Sequence, residues 1–274
     1  MPEAPDLHVW REYLAPKLTG REIASVRELR PLVVRNLVGA PMSEHASGRL
    51  IEDLGRKGKL LIMALSGGMA IVVSPMLTGE LSLADSKKRM LKSTILTMNL
   101  DDGMQIRYTD AKRMGQIYHL ELNRVDEITR VADQGPDVLD EPLNLPDFKA
   151  ALKRYRGEVK GVLTRGQLVA GIGNAYADEV LWEAGLYPFR KVTRLTGEEV
   201  LRLHEATYRV PAEAAATLQK IFGADHPRKE RKFLSIHSRA GTPCPRCGTV
   251  ISSVKSRQRD TNFCRSCQPG TMFE

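Results

Sequence analysis

Residues 244–267 read CPRCGTVISSVKSRQRDTNFCRSC, two Cys-x2-Cys knuckles with sixteen residues between them. Four thiolates at this spacing can close tetrahedrally on Zn²⁺. Because every ligand position is then a protein sulfur, the ion is structural and not catalytic. Cys244, Cys247, Cys264 and Cys267 are all the cysteines of the chain. Two disulfides or four unrelated thiols are the alternatives, and without a secretion signal the expectation is one zinc ion. A unit beginning near Phe233 is too small for a core of its own, so metal binding would supply its stability. Lys255, Arg257 and Arg259 lie between the knuckles with Gln258 beside them. A planar guanidinium suits phosphate, although an exposed arginine on a hairpin can also simply be solvated.

Moving outward from the knuckles, the charge is uneven. From His226 to the end, ten Lys/Arg stand against Glu230, Asp260 and Glu274, while the whole 274-residue chain carries 41 Lys+Arg, 33 Asp+Glu and a net charge of +8. A polyanionic partner is the simplest reading, with a solubilising basic tail as the other. A composition of 42% hydrophobic and 27% charged residues excludes global disorder. No apolar run approaches the roughly 18 residues of a membrane span, and residues 1–6 lack the layout of a signal peptide, so a cytoplasmic protein is expected.

Leu7, Trp10, Leu14 and Leu18 share a helical face over residues 6–18, with Gly20 as a stop. Short β-type runs follow at 23–29, 60–65, 70–74, 94–100 and 104–108, joined by hairpin turns that predict antiparallel sheets; residues 43–54 read as a helix among them. A Pro-rich acidic stretch at 131–146 suits a connection. Beyond it helices are expected at 148–155, 175–184 and 197–222, the last interrupted at Pro211, and then a strand at 233–237. The organisation is therefore α+β and multidomain, with boundaries at 1–130, 131–146 (linker), 147–232 and 233–274.

Gly171-Ile172-Gly173-Asn174 opens the helix at 175–184. Flexible backbone at a helix N-terminus favours an anion, and a DNA phosphate fits better than a nucleotide cofactor because neither a dinucleotide fingerprint nor a P-loop is present. A tight turn capped by Asn174 is the plainer alternative. No nucleophile elbow or His-Glu-x-x-His motif occurs. The remaining candidate is the chain's head: with Met1 removed, Pro2 is a secondary amine of pKa about 7.7–8.0 if unperturbed. Such an amine can attack an electrophilic sugar carbon, with Glu3 shuttling a proton. From these two residues alone, an ordinary disordered start is the favoured reading.

Together, Met1-Pro2-Glu3-Ala4-Pro5, Gly55-Arg56-Lys57-Gly58-Lys59, the stretch 107–113 (RYTDAKR), the stretch 167–179 (QLVAGIGNAYADE) and the terminal knuckles resemble the formamidopyrimidine-DNA glycosylase and endonuclease VIII family across the whole chain. The resemblance implies an N-terminal antiparallel β-sandwich with a flanking helix, a helix-two-turn-helix domain and a zinc finger, with damaged double-stranded DNA in a basic cleft. It implies a monomeric, bifunctional DNA glycosylase and abasic-site lyase of the bacterial nucleoid, needing no nucleotide cofactor and no membrane. On this pattern Pro2 attacks C1′ of a flipped nucleotide, Glu3 is its acid/base partner and Lys59 contacts phosphate near the lesion. Lys160, Asn174 and Arg259 grip DNA, and the strand is cut by β,δ-elimination.

The chain also departs from the pattern. Asp6 replaces a frequent Glu, Ser74-Pro75-Met76-Leu77-Thr78-Gly79 replaces His-Leu-Gly-Met-Ser-Gly, and Lys112-Arg113-Met114 replaces Arg-Arg-Phe. Leu77 and Met114 can still fill the space left by an extruded base, or they can be core residues. Arg165-Gly166 replaces Asp-Gln, and residues 226–232 lack the Gly-Gly-Thr-Thr pattern of a purine-capping loop, which widens the expected substrates to oxidised pyrimidines and ring-opened lesions. A non-catalytic damage-binding member is the alternative function, and an RNA-associated zinc-ribbon protein a further one.

Overall fold

The structure is a computed structural model and describes residues 1–256 and 259–270. Two compact units result: Met1–Pro2, Asp6–Ala132 and Leu218–Arg228 form one, and Glu3–Pro5, Asp133–Thr217 and Lys229–Glu274 the other.

The first unit is a sandwich. Strands β1 (Ile23–Glu28), β2 (Val34–Asn36), β3 (Ile51–Lys57), β4 (Leu60–Leu65), β5 (Met69–Ser74), β6 (Gly79–Asp85), β7 (Thr94–Leu100), β8 (Met104–Asp110) and β9 (Gln116–Glu121) form two sheets, ordered β1-β7-β8-β6 and β2-β9-β5-β4-β3. Val26, Leu96 and Ile106 from one sheet meet Leu54, Met63 and Ile117 from the other in a single buried cluster. Leu7, Trp10, Leu14 and Leu18, the expected face of helix α1 (Ala4–Leu18), complete it. A second cluster of Leu60, Ala70, Val72 and Leu120 with Val125, Ile128 and Val131, the last from α3 (Thr129–Ala132) downstream of α2 (Met42–His45), covers the outer side of β4 and β5. Both strands are thus buried on two faces, which is why they read as unbroken apolar runs.

Two expectations for this unit are corrected. The helix over 43–54 shrinks to α2, and Ile51 onward is strand β3. Ile51 and Leu54 are both buried although three residues apart, because the pairing with β4 shifts between Ile51 and Asp53. A bulge therefore imitated helical spacing. The sheets are also not wholly antiparallel, since β2 runs parallel to β9.

The β2–β9 pair is tied by side chains. Fully buried His119 sits 3.2 Å from Asn36 Oδ1 through Nδ1 and 3.4 Å from His45 Nδ1 through Nε2, with Arg49 3.3 Å from His45 on the far side. Burial first, then His45 and Arg49, lower the His119 pKa to about 4. Above the ordinary histidine value near 6.5 neither state is protonated at this ring; below it the unfolded chain binds a proton that the folded protein refuses until about pH 4. Stability is therefore expected to fall by about 3 kcal/mol as pH drops through that window. Urea midpoints at pH 7 and 4.5 check this, and His119→Gln should flatten the dependence.

In the second unit, α4 (Leu145–Leu152) starts at Asn144, whose side chain accepts the Asp147 N–H at 2.9 Å. Helices α5 (Val159–Arg165), α6 (Asn174–Glu183) and α7 (Gly197–Phe222, as far as Thr217 in this unit) follow, then a hairpin of β10 (Ser252–Ser256) and β11 (Arg259–Phe263). Pro211 was expected to interrupt α7, yet the helix is continuous through it. Leu203, Ala206 and Ala214, on both sides of the proline, fall in one buried cluster with Phe148, Tyr176 and Val180. Their burial offsets the roughly 3 kcal/mol that an internal proline costs. The strand expected at 233–237 is absent, because the backbone N–H groups of Ser235, Ile236 and His237 all donate to the Glu179 carboxylate, at 2.9, 2.9 and 2.8 Å, and are not available to a ladder.

Candidate active site

The glycine turn before α6 holds an anion, and that anion belongs to the chain itself. Buried Glu3 accepts the N–H groups of Gly173 (2.6 Å), Ala175 (2.9 Å) and Tyr176 (3.2 Å), and Ala4 N–H donates to Gly171 O at 3.0 Å. The first N–H groups of a helix lack intrahelical partners and carry its positive dipole end, so a carboxylate is the natural occupant. Both glycines are required. A Cβ at Gly173 would lie 2.5 Å from Glu3 Cδ, and one at Gly171, where φ is +102°, would lie 2.6 Å from Ala4 Cβ. Neither sequence reading of this turn, a phosphate site or an Asn174 cap, is what forms: Gly173 is the cap residue and Glu3 does the capping.

Asn174 points instead at the ribbon. Its Nδ2 donates to Asp260 O at 2.9 Å, and Lys160 Nζ reaches the same oxygen at 3.3 Å and Thr261 Oγ1 at 2.9 Å. Lys160 is buried, 2.6 Å from fully buried Asp178, which also faces His237 Nδ1 at 2.8 Å and Asn262 N and Nδ2 at 3.3 Å. Its ammonium is met inside the protein, and Lys160 and Asn174 converge on the residue next to Arg259. The backbone of Arg259 opens β11; its side chain, with Arg257 and Gln258, lies outside the described residues. Asp178 and Glu179 were not singled out from the sequence, although two adjacent acids inside an otherwise apolar helix were a signal. Burial raises the Glu179 pKa against the lowering pull of its three N–H donors.

The four sulfurs lie within 4.8 Å of one another, with Cys244–Cys267 at 3.9 Å and Cys247–Cys264 at 3.4 Å, and all four thiols are free of disulfides. A tetrahedron with Zn–S bonds of about 2.3 Å has sulfur–sulfur edges of about 3.8 Å, so the cluster fits one zinc ion. Arg246 braces the knuckle: it stacks 4.1 Å from the Trp182 ring and pairs with Glu183 at 2.6 Å.

In the first unit Pro2 is buried, and Lys59 is half-buried in the β3–β4 turn after Gly58, whose φ is +56°. Leu77 and Met114 are 39% and 46% exposed, which removes the core-packing alternative. They sit on two neighbouring turns, the second of which carries exposed Lys112 and Arg113.

Three family models match the chain in order. They are the formamidopyrimidine-DNA glycosylase N-terminal domain over residues 1–117, its H2TH domain over 134–223 and the zinc finger found in FPG and IleRS over 241–270. The formamidopyrimidine-DNA glycosylase of Desulforamulus reducens is 32% identical over 98% of this chain and 99% of its own. The chain belongs to the formamidopyrimidine-DNA glycosylase family. The enzyme of that name from Moorella thermoacetica is 34% identical over 93% of this chain and 95% of its own. Among solved structures, the Lactococcus lactis Fpg bound to abasic-site DNA has a TM-score of 0.89 and 27% identity, covering 98% of this chain and 100% of that one. The same enzyme with Fapy-dG DNA has a TM-score of 0.87 and 27% identity, covering 97% and 99%.

The α+β fold of sandwich, helix-two-turn-helix domain and zinc finger is thus the family's, as expected from the sequence. The chain is a DNA glycosylase of base-excision repair with DNA as its partner and one structural zinc ion, and abasic-site lyase activity is a property of the family. No helix among the described residues is long and apolar enough to cross a membrane.

Proposed function

We propose that Pro2, freed by removal of Met1, is the nucleophile, and that Glu3 is its acid/base partner. The observation that carries this reading is the seating of Glu3 on three N–H groups at the N-terminal end of α6, which fixes the residue next to Pro2 in the chain. The proline nitrogen adds to C1′ of the damaged nucleotide, the glycosidic bond breaks and the base leaves with a proton, and the sugar ring opens to an iminium. The iminium draws electrons from C2′, so loss of the C2′ proton expels the 3′ phosphate; a second elimination expels the 5′ phosphate, and hydrolysis frees the amine. Lys59 contacts phosphate beside the lesion, Leu77, Arg113 and Met114 enter the stack with Lys112 at their base, and Asn174 and Arg259 hold the backbone. Lys160 acts through the ribbon that it anchors. The protein works as a monomer at the bacterial nucleoid, where its net charge of +8 supports binding to the polyanion.

After α7, His226 lies 3.2 Å from Glu80 and edge-on to Tyr13. The segment 226–232 lacks a Gly-Gly-Thr-Thr pattern, which favours ring-opened purines and oxidised pyrimidines over lesions that need a long capping loop. The test is borohydride reduction on abasic-site duplex followed by peptide mapping. Attachment to the Pro2 nitrogen is expected, and attachment elsewhere, or none, overturns the assignment. A panel of lesion duplexes ranks the substrates, and preference for single-stranded RNA over abasic duplex would overturn the repair reading altogether.

A further inference from the structure

Leu77 and Met114 are exposed apolar tips on separate turns, each preceded by a residue in the left-handed region: Met76 at φ +51° and Arg113 at φ +53°. Non-glycine residues hold that conformation only where their surroundings impose it. Here the surroundings converge on one buried carboxylate. Asp110, 1% exposed at the end of β8, accepts the Thr78 hydroxyl and the Lys112 N–H (3.2 Å) on Oδ1, and the Gly115 N–H (2.7 Å) on Oδ2. The Lys112 N–H is shared with Thr78 Oγ1 at 3.0 Å, and Arg113 N–H donates to Asp110 O at 3.3 Å. One residue therefore bonds the neighbour of Leu77 and both flanks of Met114.

The ring beneath closes the arrangement. Fully buried Tyr108 places its hydroxyl where a side chain at either turn would stand: a Cβ at Gly79 would lie 2.2 Å from it, and one at Gly115 1.8 Å. Both turns are thus drawn down on the same ring while Asp110 links them laterally. An apolar wedge that parts stacked bases must keep its shape against the stack, and tips that had to be ordered during insertion would bring an entropic cost to that step.

We propose that Asp110 is a positioning residue for base extrusion, its carboxylate tying the 75–79 turn to the 111–115 loop so that Leu77 and Met114 enter duplex DNA as one preformed wedge. This rests on the wedge role given above to those two side chains. Asp110→Asn replaces one acceptor by an NH₂ facing an N–H donor, and Thr78→Val removes the hydroxyl at constant volume, so the second variant tests the clamp if the first does not fold.

Single-turnover excision should fall by about tenfold or more in both variants when the lesion is fully paired, and by less than about twofold when it lies in a short unpaired bubble, where extrusion is already accomplished. The fluorescence rise of 2-aminopurine beside the lesion on enzyme binding should shrink in parallel, and Thr78→Ser should restore both. Equal losses on paired and bubble substrates, or an undiminished rate and fluorescence rise in Thr78→Val, would overturn the proposal. The fluorescence signal needs no chemistry, so it stays readable if Pro2 proves not to be the nucleophile.

Discussion

Replacing Glu3 by glutamine is expected to lower base excision by about 10²–10⁴-fold, the range contributed by a positioned general acid/base, while reducing trapping on a preformed abasic site much less. The asymmetry follows from the chemistry. Excision requires proton movement as the glycosidic bond breaks and the ring opens, whereas an abasic site has already lost its base and presents an aldehyde to the amine. The substitution also has a structural cost. Glu3 serves three N–H donors with two oxygens, and an amide offers one oxygen and an NH₂ that confronts a donor. Each buried N–H left unmatched costs about 1–3 kcal/mol, so thermal denaturation should register a loss as well. The ratio of excision to trapping separates the two effects: a purely structural role would lower both together, and that outcome would remove Glu3 from the proton-transfer step. Gly173→Ala supplies an independent approach, since its Cβ would press 2.5 Å from Glu3 Cδ and displace the carboxylate without altering it.

Where the sequence was legible, the physics was local. The face of α1, the hairpin strands β4, β5, β7 and β8, and the cysteine knuckles each declare themselves through a period or a spacing within a few residues. Errors arose where a distant residue supplied the deciding bond. Gly171 and Gly173 looked like a phosphate turn because nothing near them reveals that Glu3, some 170 positions earlier, fills it. The stretch 233–237 has strand-like composition, but Glu179 takes its donors. At Ile51 and Leu54 the shifted register produced a three-residue spacing that local pattern cannot tell from a helix. The site divides in the same way: the knuckles were legible through their spacing, and Pro2 and Glu3 stood out only through the family resemblance, whereas Asp110, Asp178 and Glu179 act through bonds to other elements that no local pattern reveals.

Zinc removal is expected to unfold the ribbon and to loosen α6 with it. Structural zinc contributes on the order of 10–16 kcal/mol in small zinc-finger units, and among the described residues the cluster around Cys244 and Cys264 has just Ile236 and Ile251 as its other buried members, too little to hold β10 and β11 alone. The ribbon in turn serves the helix: Asn262 satisfies Asp178, Gln268 Nε2 donates to Leu186 O at 2.8 Å, and Asn174 bonds Asp260 O. Without these partners Asp178 keeps Lys160 and His237, and the N-terminal turn of α6, which seats Glu3, loses its support from the ribbon side. Chelation, or Cys247→Ser, should therefore abolish amide protection across residues 252–263, reduce it at the start of α6, and weaken duplex binding steeply. The sandwich strands β4 and β5 should keep their protection, since the clusters that bury them are built from residues of their own unit. Retention of hairpin protection after stoichiometric zinc release would contradict the structural role of the ion. Loss confined to the hairpin, with α6 unchanged, would show instead that Asp178 and Asn174 bind the ribbon without depending on it.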